Sequence, residues 1–191
     1  MASPYITFIR HGKPIVDDRQ KVKGADIRSW IEEYDRSGIH APSEIKVLQG
    51  IGHEGPYILS SNLKRAEETA VHLFGPGLVE MDSIFREAGL PDPPKLFSSL
   101  RMPASGWCAA LRVLWLCGYS RHAEPVGKTR ERAQAAAGRL MALSAVQGHA
   151  VLVGRGFFNR MIAGILLKNG WKPESRHGNK HWGMTTYTKA D

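Results

Sequence analysis

The residues best equipped for chemistry stand near the N-terminus, in Thr7-Phe8-Ile9-Arg10-His11-Gly12. Pro4 to Ile9 is a short β-branched and aromatic run, which predicts a buried strand. A cation, an imidazole and a glycine follow at its end. Open α/β sheets bind ligands beyond the carboxyl ends of their strands, so this strand would deliver Arg10 and His11 to a crevice, with Gly12 allowing a tight turn. A second such place is Gly154-Arg155-Gly156, between the apolar run His149 to Val153 and the helical pattern Phe157 to Asn169. Unpaired N–H groups and the positive end of a helix dipole there favour an anion. Both places suit phosphate.

Three further groups belong to the same chemistry or compete with a blander role. Arg65 falls in the first turn of a helix predicted to start after Asn62 and end at Gly75-Pro76-Gly77. On its own it reads as a solvated charge or an ion pair with Glu67 or Glu68. Glu87, Glu80 and Asp82 are carboxylates near a predicted strand at Leu78 to Met81, each able to serve as a general acid or to remain a surface charge. Asn159, in the first turn of the last helix, stands where it could orient the pocket loop or the substrate.

Composition limits the classes of function. A chain of 191 residues with 42% hydrophobic content can bury one sizeable core, and residues 1–191 read as a single domain. Met1-Ala2-Ser3-Pro4 has no basic stretch leading into an apolar one, and no run approaches the roughly 18 apolar residues of a membrane span, so a soluble cytoplasmic protein without membrane partners is expected. Cys108 and Cys117 lie in one apolar segment at a spacing that suits neither zinc nor a disulfide framework, and buried free thiols are expected. Lysine and arginine number 26 against 18 acids, a net charge of +8 that favours anionic partners. Only Lys168 to His181 approaches a basic stripe, and without a nucleic-acid motif it does not argue for nucleic acid. His40, His53, His72, His122, His177 and His181 form no metal-ligand pattern, and no cofactor is expected.

The elements that must position these residues follow from periodicity. Strands are predicted at Pro4 to Ile9, Pro56 to Ser60, Leu78 to Met81 and His149 to Val153, with a final edge strand at Gly183 to Thr188. Trp30, Ile31 and Tyr34 predict a short helix. Ala104 to Gly118 reads as a core helix carrying Trp107, Leu111, Leu114 and Trp115. Lys128 to Ala145 is an alanine-rich amphipathic helix whose Arg130, Arg132 and Arg139 are expected in solvent. Alternation of strands and helices predicts an α/β three-layer sandwich, a mostly parallel central sheet flanked by helices.

Taken together, Arg10-His11-Gly12 after a strand and Ser60-Ser61-Asn62-Leu63-Lys64-Arg65-Ala66-Glu67-Glu68-Thr69-Ala70 about fifty residues later resemble the histidine phosphatase superfamily, the clan of phosphoglycerate mutases and broad phosphomonoesterases. The resemblance extends over nearly the whole chain. It implies a phosphoglycerate mutase-like fold and a metal-independent phosphomonoesterase in which His11 forms a phosphohistidine. Arg10 and Arg65 would be catalytic in binding the transferring group, with Arg155, Gly12 and Gly156 completing the phosphate site and Glu87 as the preferred proton donor. The partner would be a small phosphorylated substrate or another anion.

The chain departs from the family pattern in three ways. The asparagine that commonly follows the tripeptide and the Leu-Thr-x-x-Gly segment are not evident. More important for chemistry, the second histidine of the family stands as Arg155. Arginine preserves positive charge but is longer and always protonated, so reduced activity is expected, and the alternative is a non-catalytic phosphoester-binding or regulatory protein. A homodimer could form through an edge strand or the tryptophan-bearing helix.

Overall fold

The computed structural model describes residues 3–40, 55–177 and 180–189. Its centre is a six-stranded sheet built from β1 (Tyr5–Arg10), β3 (Tyr57–Ser60), β4 (Val79–Met81), β6 (His149–Gly154), β7 (Trp171–His177) and β8 (Met184–Lys189), in the order β4-β3-β6-β1-β8-β7. The first four run parallel, while β8 is antiparallel to β1 and β7 antiparallel to β8. A separate pair joins β2 (Lys21–Lys23) to β5 (Arg101–Pro103).

Helices cover both faces, and this explains why β1 and β6 are apolar throughout their middles. On one face Ile6, Phe8, Leu59 and Leu152 pack with Ala136, Ala137 and Leu140 of α4 (Val126–Gln147) and Phe158, Ile162 and Leu166 of α5 (Gly156–Lys168). On the other, Ile9, Ile58, Val151 and Val153 meet Ala66, Ala70 and Leu73 of α2 (Lys64–Phe74). The mostly parallel three-layer architecture expected from the sequence is therefore present. Thr7 is fully buried, with its hydroxyl 2.9 Å from His149 Nε2 and 3.0 Å from Thr186 Oγ1.

A third apolar cluster lies beyond the sheet. Ile27 and Trp30 of α1 (Ile27–Arg36), Val22, and Trp107 and Leu111 of α3 (Ala104–Leu116) bury one another there. The Trp107 indole N–H donates to the Val22 carbonyl at 3.0 Å, fastening α3 to β2. This unit holds α1 over the carboxyl ends of the parallel strands.

Several expectations need correction. The last strand, β8, is interior to the sheet, and the edge is β7, drawn from the basic stretch that alternates too little to show as a strand. Helix α2 takes Leu63 as its N-cap, and no side chain caps it; Ser61 Oγ accepts from the Leu63 N–H at 3.4 Å, so Asn62 has no capping role. Cys108 is half-buried and Cys117 exposed, both free; burial pushes the Cys108 thiol up. Arg132 and Arg139 are not solvated charges. Arg132 donates to both Glu124 oxygens and to the carbonyls of Ile84 and Arg86, and Arg139 donates to Glu80 and Asp82. Arg130 is exposed as expected. Among the described residues, no helix is long and apolar enough to cross a membrane, and no group of three His, Cys, Asp or Glu gathers to hold a metal; His53 lies outside them.

Candidate active site

The carboxyl ends of β1, β6 and β3 are stitched together by the backbone, which brings the sequence motifs to one place. The His11 N–H donates to Gly154 O at 3.1 Å, and the Ser61 N–H to Val153 O at 3.1 Å. The loop after β1 is then locked from α2: the Gly12 N–H donates to Thr69 Oγ1 at 2.9 Å, and the Thr69 hydroxyl donates to Arg65 O at 2.6 Å. From β8's side, the Trp182 N–H donates to Arg10 O at 3.1 Å.

Gly12 is needed here for space, not for an unusual turn, since its φ is not among the positive ones. A Cβ built on it would lie 2.4 Å and 2.7 Å from Trp182 ring carbons. Trp182 itself adopts φ +65, the left-handed region, to lay its indole against the loop. Gly156 differs from Gly12, because its Cβ would meet Arg10 Nε at an ordinary 3.5 Å. Gly154 is the tighter neighbour, with Asn159 Oδ1 only 2.6 Å from where a Cβ would stand.

His11 is 3% exposed, with Nδ1 2.8 Å from the Gly12 carbonyl oxygen. A carbonyl only accepts, so Nδ1 carries the proton and Nε2 keeps the lone pair. Burial, then the charges of Arg155 and Arg65 and the neighbouring His181, hold the imidazole well below its ordinary pKa against the opposing pull of Gly12 O. The ring is therefore neutral and nucleophilic at physiological pH. His181 donates from Nδ1 to His11 O at 3.2 Å, its ring centre 5.3 Å from that of His11.

The arginines converge, though not by the partners the sequence suggests. Arg65 is 1% exposed and pairs with neither Glu67 nor Glu68; its Nη2 donates to Asp35 Oδ1 at 3.1 Å and its Nη1 to Ser37 Oγ at 3.2 Å. Arg155, immediately before α5, donates from Nη1 to the same Asp35 oxygen at 2.9 Å. Tyr34 lies beneath both guanidinium groups, 4.0 Å from Arg65 and 5.5 Å from Arg155. Burial lowers the pKa of Arg10 and of Arg65. For Arg155 burial acts the same way, but Asp35 and Glu87 outweigh it and raise the value.

A cavity of about 840 Å³ opens beside these groups, lined by Tyr34, Asp35, Glu87, Arg112, Arg155 and Arg160 among others. Glu87 reaches it with its side chain 9% exposed, 3.9 Å from Arg112 Nη2 and accepting from the Ala88 N–H at 3.0 Å. Glu80 and Asp82 do not line it; they are taken up by Arg139, and Glu80 also by the Tyr57 hydroxyl. Asn159 lies 7% exposed against the wall of a smaller cavity of about 180 Å³, with Arg10 and Arg160. Arg112, Tyr34 and Asp35 are the site residues that sequence reasoning missed. Arg112 lies over the rings of Phe157 and Trp115 and donates to Ala88 O at 2.7 Å. The Lys13, Asp17 and Asp18 side chains are exposed.

No protein-family model and no curated protein sequence matches this chain. Solved structures do. A mycobacterial glucosyl-3-phosphoglycerate phosphatase aligns at TM-score 0.58 and 21% identity, over 87% of this chain and 80% of its own. The same mycobacterial phosphatase in complex with VO3 aligns at 0.56 and 21%, over 86% and 82%. A structure described as mycobacterial hydrolase 1 aligns at 0.58 and 22%, over 86% and 79%. With its strand order, helical layers and strand-end loops, the chain has the phosphoglycerate mutase-like α/β fold of these solved structures.

Proposed function

We propose that the protein is a metal-independent phosphomonoester hydrolase acting through a phosphohistidine on His11. The observation that carries this reading is the tie from His11 Nδ1 to Gly12 O, in a site whose burial and cations keep the ring neutral. Nε2 then attacks phosphorus as the ester P–O bond breaks, and Arg10, Arg65 and Arg155 stabilise the charge on the transferring oxygens. Glu87, the carboxyl of the three candidates that borders the cavity, protonates the leaving alkoxide. It next takes a proton from water, whose oxygen displaces the histidine and releases phosphate. Gly12 and Gly156 belong to the loops that hold the phosphoryl group, and Asn159 contacts the substrate beside them. The likeness to phosphatases of the same fold supports the assignment of reaction class.

In this reading Arg155 takes the part of the superfamily's second histidine, and, being longer, holds the phosphoryl group less well in line with His11, which reduces the rate. Loss of one well-placed charge-stabilising donor costs about 10²–10³ in kcat. The test is metal-free hydrolysis of an aryl phosphate by the parent, Arg155→His and His11→Ala. A slow parent, an Arg155→His form faster by about 10²–10³, and an inactive His11→Ala form are expected. A second reading, non-catalytic anion binding, draws on one observation: His11 is 3% exposed, and Arg155, whose charge acts on it, is already paired with Asp35. Absence of turnover in both the parent and Arg155→His, with phosphate still bound, would establish that reading instead.

A further inference from the structure

We infer that Asp35 is an internal occupant of the phosphoryl position, and that it sets the affinity of the site for phosphate. The inference rests on the proposed role of Arg65 and Arg155 in holding a phosphoryl group. Both guanidinium groups converge on one oxygen, Asp35 Oδ1, at 3.1 Å and 2.9 Å. Two cations sharing one carboxylate oxygen is the arrangement a phosphoryl oxygen would otherwise satisfy.

The carboxylate fills the fork incompletely. Arg65 Nη1 goes to Ser37 and Nη2 to Asp35, while Arg65 Nε is buried with no hydrogen-bond partner among the described residues. A buried charged donor left unmade is costly, and a group with three oxygens can reach what one carboxylate oxygen cannot. Access points the same way. His11 and Arg65 line neither cavity, whereas Asp35 and Arg155 both border the larger one, where an entering ester would meet the pair. Asp35 arrives on the last turn of α1, steadied by the Ser37 hydroxyl, which donates to Tyr34 O at 2.8 Å. A phosphate ester entering from the cavity must therefore displace this carboxylate, and its binding is weakened by the ion pairs it breaks.

Titration of the full chain with inorganic phosphate, followed by calorimetry, tests this on the parent and Asp35→Asn. The amide is the same size but no longer an anion, so phosphate should bind about 10–100-fold more tightly, the worth of a charged hydrogen bond. Should the amide form fail to fold, Asp35→Ser, too short to bridge both arginines, must show the same direction. Unchanged or weaker binding in the folded variant would overturn the inference and make Asp35 a positioning residue for the arginines. No binding in any form would remove the anion site itself. Tighter binding without turnover would leave the inference standing while the hydrolase reading fell.

Discussion

Replacing Gly12 by alanine adds a single methyl group to the loop that bears His11, and the structure says where that group goes. Its carbon would stand 2.4 Å from one Trp182 ring carbon and 2.7 Å from another, a separation that real side chains do not adopt. The indole is rigid, and its backbone is fixed by the N–H bond to Arg10 O, so neither side yields easily. Overpacking of this kind costs about 1–3 kcal/mol, which for a chain of this size lowers the melting temperature by about 2–12 °C. The effect on chemistry should exceed the effect on stability. The Gly12 carbonyl fixes the tautomer of His11, and the Gly12 N–H is tied to Thr69, so a loop pushed off the indole carries the nucleophile out of line. Differential scanning calorimetry and aryl-phosphate turnover measure the two effects. Shortening the ring in a Gly12→Ala/Trp182→Leu double variant should recover part of the loss, giving a coupling that the single changes do not add up to. A Gly12→Ala protein that melts with the parent and turns over aryl phosphate at the parent rate would refute the packing argument.

Two other outcomes follow from the geometry. Glu87→Gln should lower aryl-phosphate turnover by about 10²–10⁴, while Glu80→Gln, whose carboxylate serves Arg139 and Tyr57, should leave it near the parent value; the reverse order would reassign the acid. Because His11 is held neutral in the folded protein, the unfolded chain binds the extra proton below its ordinary pKa. Stability contributed by His11 is therefore complete above about pH 6.5 and is lost as pH falls, at up to about 1.4 kcal/mol per pH unit. Urea unfolding at several pH values should show a flatter slope in His11→Gln, and an identical slope would place the acid sensitivity elsewhere.

The sequence makes the nucleophile end of this protein readable because every part of it is local. Ile6, Phe8 and Ile9 alternate between two covered faces, and the cation, imidazole and glycine follow directly. The same holds for β6 and for α2, whose end is marked by Gly75. What the sequence hides is pairing over distance. Asp35 lies 30 residues from Arg65 and 120 from Arg155, on a polar helix where a carboxylate signals nothing. Arg132 and Arg139 look like the wet side of an alanine-rich helix, yet Arg132 reaches the distant carbonyls of Ile84 and Arg86, and Arg139 the distant carboxylates of Glu80 and Asp82. The strand β7 escaped notice because Lys172, Pro173 and Glu174 are all exposed, leaving no apolar alternation to detect.

That same exposed stretch decides how the sheet ends. Pro173 offers no N–H, the register slips between Pro173 and Ser175, and the exposed Lys172 and Glu174 stand at the slip. At the opposite margin β4 is only three residues long. A neighbouring molecule seeking to add a strand meets a broken, charged ladder on one side and a very short one on the other. The sheet is thereby shielded from growth into fibres. Any association between copies is steered toward side-chain surfaces such as the outward faces of the helices, where α3 exposes Val113 and Leu116 while its tryptophans stay buried.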